Sequence, residues 1–238
     1  MQLTPARGFT LIELSVVLVV VALLLSCLLV PLTTQVKQRN VAETQKLLDN
    51  AREAIIGYAM ANGRLPRAAP NAATGLERTT NCATAVDCTG FLPWATLGLP
   101  RTDAWGKHLR YSVTPAFASA APPFSLSSLG DKIVVGRNND GSTFNLTSGV
   151  PAVILSYGAS NFGTKEDGTE FPDDSTGNAD EEANDARFKC TVAADCNNFF
   201  SRVTSSNTAA TGGEFDDLVL WIPSGILFSR MVTAGRLP

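Results

Sequence analysis

RGFTLIELSVVLVVVALLLSCLLV, residues 7–30, opens an apolar run that continues to Leu32 and carries one internal charge, Glu13. A helix needs about 20 predominantly apolar residues to span the hydrocarbon core of a bilayer. The apolar region of a cleaved secretory signal is shorter, about 7 to 15 residues. Residues 9–32 are long enough for the first and too long for the second. We therefore expect them to form a membrane-spanning helix.

Glu13 is the unusual residue of this run, because a carboxylate in a membrane helix is costly unless it has a partner. No Lys or Arg lies between Phe9 and Leu32 to pair with it. One interpretation is that the acid lies near the membrane surface and reaches water. The other is that a second chain supplies the missing cation.

The segment Gly8-Phe9-Thr10-Leu11-Ile12-Glu13-Leu14 resembles the processing site of type IV pilins and type II secretion pseudopilins. In that family a prepilin peptidase cuts after the glycine and methylates the new N-terminus. The resemblance implies cleavage after Gly8 and methylation of Phe9, with residues 1–8 as the leader peptide. It also implies that Glu13 meets the N-terminal amine of a neighbouring subunit.

The same resemblance implies a location and a set of partners. The precursor would be a single-pass protein of the bacterial inner membrane with its head in the periplasm, and the mature chain would enter a pilus or pseudopilus. Its partners would be the prepilin peptidase and other pilin or pseudopilin subunits. The large head favours a minor subunit over a major one.

Two other hypotheses compete with the filament subunit. Leu24-Leu25-Ser26-Cys27 resembles a weak bacterial lipoprotein box, in which Cys27 would become the lipidated N-terminus. The apolar continuation beyond Cys27 and the acid at Glu13 count against this. The chain could instead be a membrane-anchored binding protein or adhesin whose head recognises a ligand.

Residues 33–62 have the period of an amphipathic helix, which Asn62-Gly63 would end. Its apolar stripe comprises Val41, Leu48, Ala51, Ile55, Tyr58 and Ala59. We expect an α+β, pilin-like fold, in which one long N-terminal helix has a transmembrane half and an amphipathic half. The amphipathic half would pack on an antiparallel sheet of the head, residues 63–238.

Several segments of the head have the patterns of strands. A turn and a strand are expected over residues 103–113, with Leu109, Tyr111 and Val113 on one face. Further strands are expected at residues 132–136, 150–157 and 215–222, and a short helix at residues 225–234. Asn138-Asn139-Asp140-Gly141 is a strong turn signal between the second and third strands. Residues 64–100 are expected to form a long surface loop.

Four cysteines lie in the head, as Cys82-x5-Cys88 and Cys190-x5-Cys196. Four cysteines in an exported domain indicate two disulfides. The two segments echo each other, which favours two local loops over bridges between the pairs. A zinc site would prefer closer spacing and more than one histidine.

Residues 166–185 hold a run of acids without a single Lys or Arg. Such carboxylates repel one another unless they are solvated or neutralised by a hard cation, calcium above all. The segment from Ser156 to Gly168 is similar to the calcium loop of the major pseudopilin, although the region here is longer and has no regular ligand spacing. The alternatives are a solvated acidic loop and a calcium site. The candidate calcium ligands are Asp173, Asp174, Asp180 and Glu182.

An enzyme is not indicated, because the chain has no Gly-x-Ser-x-Gly elbow, no phosphate-binding Gly-rich loop and no His-Glu-x-x-His helix. Its single histidine, His108, is expected to be solvated or hydrogen-bonded. The net charge of −3 and the absence of a dense basic patch give no support to nucleic-acid binding. The sequence predicts a structural role.

Overall fold

The computed structural model describes residues 10–237, except for the side chains of residues 24–32. The predictions for Gly8 and Phe9 and for the side chain of Cys27 therefore lie outside the described residues. The helices are α1 (Leu11–Asn62), α2 (Trp94–Leu97), α3 (Pro115–Ala118), α4 (Ala179–Phe188) and α5 (Ser224–Thr233). The strands are β1 (Thr89–Phe91), β2 (Arg110–Val113), β3 (Lys132–Arg137), β4 (Thr143–Val150), β5 (Ala152–Ser156), β6 (Asn198–Phe200) and β7 (Leu218–Trp221).

The chain divides into two compact units, Met1–Ala42 and Glu43–Pro238. In its described part, the first unit consists of Thr10 and the part of helix α1 up to Ala42. The second unit contains the rest of α1 and the whole head. Helix α1 ends where Asn62-Gly63 predicts, because Gly63 adopts a φ of 73° and its N–H donates to the Ala59 carbonyl at 2.8 Å.

The main sheet is antiparallel and has the order β1-β2-β5-β7. Leu48, Ala51 and Ile55 of α1 are buried in one apolar cluster with Tyr111 of β2 and Ile154 of β5. The apolar stripe predicted for residues 33–62 thus faces the sheet over its second half. The expected α+β architecture, an N-terminal helix with an antiparallel sheet, is confirmed.

A second apolar cluster lies on the other face of β5. Because successive side chains of a strand point to opposite faces, Ile154 joins the α1 cluster while Val153 and Leu155 join the second one. Val134 of β3 and Phe199 of β6 are buried there as well. This explains why every residue of β5 is buried, and it makes the main sheet the middle layer of the head.

The second sheet has the order β4-β3-β6, with β6 parallel to β3. The sequence analysis predicted β3 but neither β4 nor β6. It also treated the acidic stretch as a loop, whereas α4 forms within it. Asp180, Glu181 and Glu182 occupy the first turn of α4, where negative side chains interact favourably with the helix dipole.

Both disulfides are local, Cys82–Cys88 and Cys190–Cys196. This is the pairing that the two echoing segments favour. Cys82 and Cys88 are buried in the cluster between α1 and the main sheet, whereas the Cys190–Cys196 bridge follows α4. Each bridge joins cysteines six positions apart and so closes a short loop.

Candidate functional site: the N-terminal segment and the buried acids of the head

Thr10 and Glu13 form a reciprocal cap at the start of α1. The Thr10 N–H and hydroxyl both donate to Glu13 Oε2 at 2.9 Å, and the Glu13 N–H donates to Thr10 Oγ1 at 3.3 Å. This is a capping box, in which a Thr and a Glu three residues later satisfy each other's backbone N–H groups. The Thr-x-x-Glu spacing is visible in the sequence, yet the sequence analysis gave Glu13 no partner within its own chain.

The large apolar side chains between Leu11 and Leu23 are exposed on every side of α1. Leu11 is 89% exposed, Leu18 61% and Leu23 65%. An isolated helix that is apolar all round requires burial in another medium or against other chains. Within the part of the chain that the structure describes, no helix is both long enough and apolar enough to cross a membrane. The described residues thus do not bear out the predicted span. That span also includes Phe9 and the side chains of residues 24–32, which lie outside the described part of the structure.

Asp180, one of the four predicted calcium ligands, is fully buried between two arginines. Arg137 donates from Nη2 to Oδ1 at 2.6 Å and from Nε to both carboxylate oxygens at 3.0 Å. Arg202 donates from Nε to Oδ2 at 2.8 Å. Because both oxygens of Asp180 already face guanidinium groups, they are not available to a metal ion.

The other predicted calcium ligands do not join Asp180 in a common site. Asp173 accepts hydrogen bonds from Ser175 N and Asn178 Nδ2, and Asp174 donates its N–H to Asn161. Glu182 is exposed on the first turn of α4. The four predicted ligands thus do not converge in the described structure, because neighbours in a run of acids are directed differently once part of the run becomes a helix.

The acids that do come together are Glu181, Asp216 and Asp217, whose carboxylate oxygens lie within 4.8 Å of one another. Glu181 accepts the Asp216 N–H at 2.6 Å and Asn161 Nδ2 at 3.0 Å. Asp217 accepts Asn184 Nδ2 at 2.8 Å. The pair Asp216-Asp217 just before β7 was the available signal, but its distance from α4 along the chain hides the contact.

Burial raises the pKa of Glu181 to about 7, and the neighbouring Asp216 and Glu214 add to the effect. The hydrogen bonds from Asn161 and from the Asp216 N–H oppose it. Burial also raises the pKa of Asp217 well above its ordinary value. Glu181 and Asp217 therefore lose their protons less readily than ordinary carboxyl groups.

His108 differs from its expected state. It is 1% exposed, and neither ring nitrogen has a hydrogen-bond partner among the described residues. Its ring lies edge-on to Phe91, with 5.9 Å between the ring centroids. Burial, aided by the Arg101 charge, lowers the pKa of His108. The histidine is thus a buried neutral group rather than a solvated one.

We expect Glu181→Gln to remove a pH-dependent loss of stability. Because the pKa of Glu181 is about 7 when folded and about 4.3 when unfolded, its stabilising contribution is complete below the lower value and is lost as pH rises through the upper one. Between these two pKa values, the contribution of Glu181 to the free energy of unfolding falls by up to about 1.4 kcal/mol per pH unit. The free energy of unfolding of the variant, relative to the wild type, should therefore rise from about pH 5 to pH 7.

Denaturant unfolding of the full-length protein, followed by tryptophan fluorescence, measures this difference at each pH. Trp94, Trp105 and Trp221 all lie in the head. The exposed neighbour Glu182→Gln is the matched control and should show no such trend. The lowered pKa of His108 makes stability fall at acidic pH. Because the wild type and the variant share this contribution, it cancels when the two are compared at the same pH. A difference that does not change with pH would refute the role given to Glu181.

The prokaryotic N-terminal methylation motif matches residues 4–26. The chain therefore carries the signature of type IV pilin and pseudopilin precursors, and Thr10, Glu13 and the exposed apolar residues up to Leu23 fall within it. This signature implies processing by a prepilin peptidase and assembly with other pilin subunits. No curated protein and no solved structure has significant similarity to the chain.

Proposed function

We propose that this chain is the precursor of a structural filament subunit, a minor pilin or a pseudopilin. The observation that carries the proposal is the methylation motif at residues 4–26, which includes Gly8, Phe9 and Glu13. In this proposal residues 1–8 are the leader, residues 9–32 the membrane and assembly segment, residues 33–62 the amphipathic half and residues 63–238 the head. The chain acts by assembling and not by catalysis.

Before processing, the precursor lies in the bacterial inner membrane with its head in the periplasm. A prepilin peptidase then cuts after Gly8 and methylates Phe9, and the mature chain enters a pilus or a type II secretion pseudopilus. The two disulfides of the head support an exported location, because disulfides persist in oxidising compartments such as the periplasm.

Glu13 is the residue that recognises a neighbouring subunit. Its carboxylate is held at the start of α1 by two hydrogen bonds from Thr10, so its position is fixed before assembly. The missing cation is the Phe9 amine of the next subunit. In the low-dielectric surroundings of a filament core, such a pair is worth far more than in water.

Glu13 has two separable tasks, and substitutions distinguish them. Glu13→Gln keeps the cap, because a Gln at this position also completes a capping box, but it removes the charge. We expect Glu13→Gln and Glu13→Ala to be processed normally yet to enter filaments at least tenfold less than the wild type, a loss of at least about 1.4 kcal/mol in assembly free energy. Quantitative immunoblots of sheared filaments and membranes measure the ratio.

Thr10→Ala is the matched control, because it removes the capping hydroxyl and leaves the carboxylate. It should enter filaments far better than Glu13→Gln. Normal incorporation of Glu13→Gln would show that the acid serves only as a helix cap or reaches water. Filaments that form normally without this protein would favour the adhesin hypothesis.

A further inference from the structure

A cleft of about 520 Å³ lies between the turn that follows β3 and the segment that follows β6. Pockets that bind small ligands have volumes of roughly 300 to 1,000 Å³. Arg137 and Arg202 line this cleft, together with two asparagines, two threonines, a serine and three apolar residues. None of the described residues that line it is an acid. The cleft is therefore large enough for a small ligand, polar and positively charged.

Hydrogen bonds hold the two walls of the cleft in place. The Thr211 hydroxyl on one wall donates to the Asn139 carbonyl on the other at 3.2 Å. The turn 138–141 is closed by a hydrogen bond of 3.0 Å between its end residues. On the opposite wall, Ser205 and Phe215 exchange two backbone hydrogen bonds of 2.9 and 2.7 Å. The cleft is thus formed by the fold itself and needs no rearrangement before a ligand enters.

The wall of the cleft carries more positive than negative charge. Arg137 and Arg202 share a single carboxylate, that of the fully buried Asp180. The acid of the adjoining turn, Asp140, accepts hydrogen bonds from the Ser142 N–H and hydroxyl at 2.8 and 2.6 Å, so it is directed away from the arginines. Two guanidinium groups with one counter-charge leave one positive charge for an anion that enters the cleft.

Arg202 has a donor left over for such an anion. Its Nε donates to Asp180, and its Nη2 donates to the three backbone carbonyls of residues 212–214. Its Nη1 donates to none of the described residues and remains open to solvent. Because the other two nitrogens are fixed, the position of Nη1 is fixed before a ligand arrives, which lowers the entropic cost of binding.

The rest of the lining suits a ligand with several hydroxyl groups. The Asn139 amide and the Thr204 hydroxyl also line the cleft, and neither makes a side-chain hydrogen bond to the described residues. An amide offers both donors and acceptors, and a hydroxyl does the same. Ala209 and Ala210 are small, so they leave room for a ring beside these polar groups.

We propose that this cleft binds the carboxylate of an acidic sugar. A guanidinium group matches a carboxylate in charge and in planar shape. One surplus positive charge suits a monoanion better than a dianion such as phosphate. The free amide and hydroxyl groups then bind the hydroxyls of the sugar ring. This activity is additional to that of a filament subunit and does not depend on the proposed function, because purified protein shows it whether or not it is assembled.

Isothermal titration calorimetry of the full-length protein with a trimer of glucuronate tests the proposal. The wild type should bind this trimer. Its fully methyl-esterified form has the same sugar rings but no charge, so it should bind at least about tenfold more weakly. Inorganic phosphate should bind less tightly than the trimer.

A charge placed on the wall of the cleft locates the site without changing the pairs that hold Asp180. Val203 lines the cleft and is 86% exposed, so Val203→Glu should leave the fold intact. The added carboxylate repels the ligand and cancels the surplus charge, and the affinity for the trimer should fall at least about tenfold. Val203→Gln is the matched uncharged control. Val192→Glu places the same charge at an exposed position outside the cleft, and both controls should bind like the wild type.

Three results would overturn the proposal: a wild type that does not bind the trimer at millimolar concentration, a methyl ester that binds as tightly as the acid, or a Val203→Glu variant that binds as tightly as Val203→Gln. Tighter binding of phosphate than of the trimer would also overturn it, because it would assign the cleft to phosphate groups.

Discussion

Replacing Asp180 with alanine is expected to lower the free energy of unfolding of the head by about 3 to 5 kcal/mol, the range found when one partner of a buried ion pair is removed. Asp180 is 0% exposed and takes hydrogen bonds from both Arg137 and Arg202. Without it, two mostly buried guanidinium groups face each other with no counter-charge.

Asp180 connects several elements of the head. Its carboxylate joins α4 to β3 through Arg137. Through Arg202 it is joined to the turn at Gly212 and Gly213, whose carbonyls accept from the same guanidinium at 3.0 and 2.7 Å. The substitution therefore loosens three elements together.

Denaturant unfolding at neutral pH measures the change, and Glu182→Ala is the matched control. Glu182 follows Asp180 on the same turn of α4 but is exposed, so its replacement should change stability by less than about 0.5 kcal/mol. Equal stability of the two variants would show that Asp180 does not organise this part of the head.

Replacing Gly8 with leucine is expected to abolish maturation, which is the second large effect. The methylation motif covers this position, and the resemblance implies a peptidase that accepts only a small residue before the bond it cuts. A bulky side chain there should leave the uncut precursor as the only form of the protein, without methylation of Phe9.

Mass spectrometry of the protein from cells that contain a prepilin peptidase measures the result. Gly8→Ala keeps a small residue before the bond and should retain at least part of the cleavage. Efficient processing of Gly8→Leu at Phe9 would contradict the assignment of this bond as the cleavage site.

Local signals in the sequence predicted much of the fold. The stripe containing Leu48, Ala51 and Ile55 gave the buried face of α1, and Asn62-Gly63 gave its end. Period-two alternation located β2, although the structure buries all four of its residues and not one face alone. The reason is that the main sheet has apolar clusters on both sides, which alternation in one strand cannot show.

Other elements depend on contacts between distant parts of the chain. Strand β6 pairs in parallel with β3 although more than 60 residues separate them, and its three residues carry no strand pattern that stands out. Strand β4 alternates polar and apolar residues from Thr143 to Thr147, a strand pattern that the sequence analysis did not use. Its apolar side chains Phe144 and Leu146 remain largely exposed.

The candidate sites divide in the same way. The N-terminal motif and the two local disulfides are contiguous in the sequence and could be predicted from it. The buried acids could not, because Glu181 meets Asp216 and Asp217 across 35 residues of chain or more. The cleft between the two arginines could not be predicted either, since Arg137 and Arg202 become neighbours only when folding brings both onto Asp180.

The mature N-terminus is the most direct test of the proposed function, and intact mass with N-terminal peptide sequencing of the protein from its native cells determines it. The account predicts a chain that begins at Phe9 and carries a methyl group on its N-terminal amine. A chain that keeps residues 1–8, or one that begins at a lipidated Cys27, would contradict it.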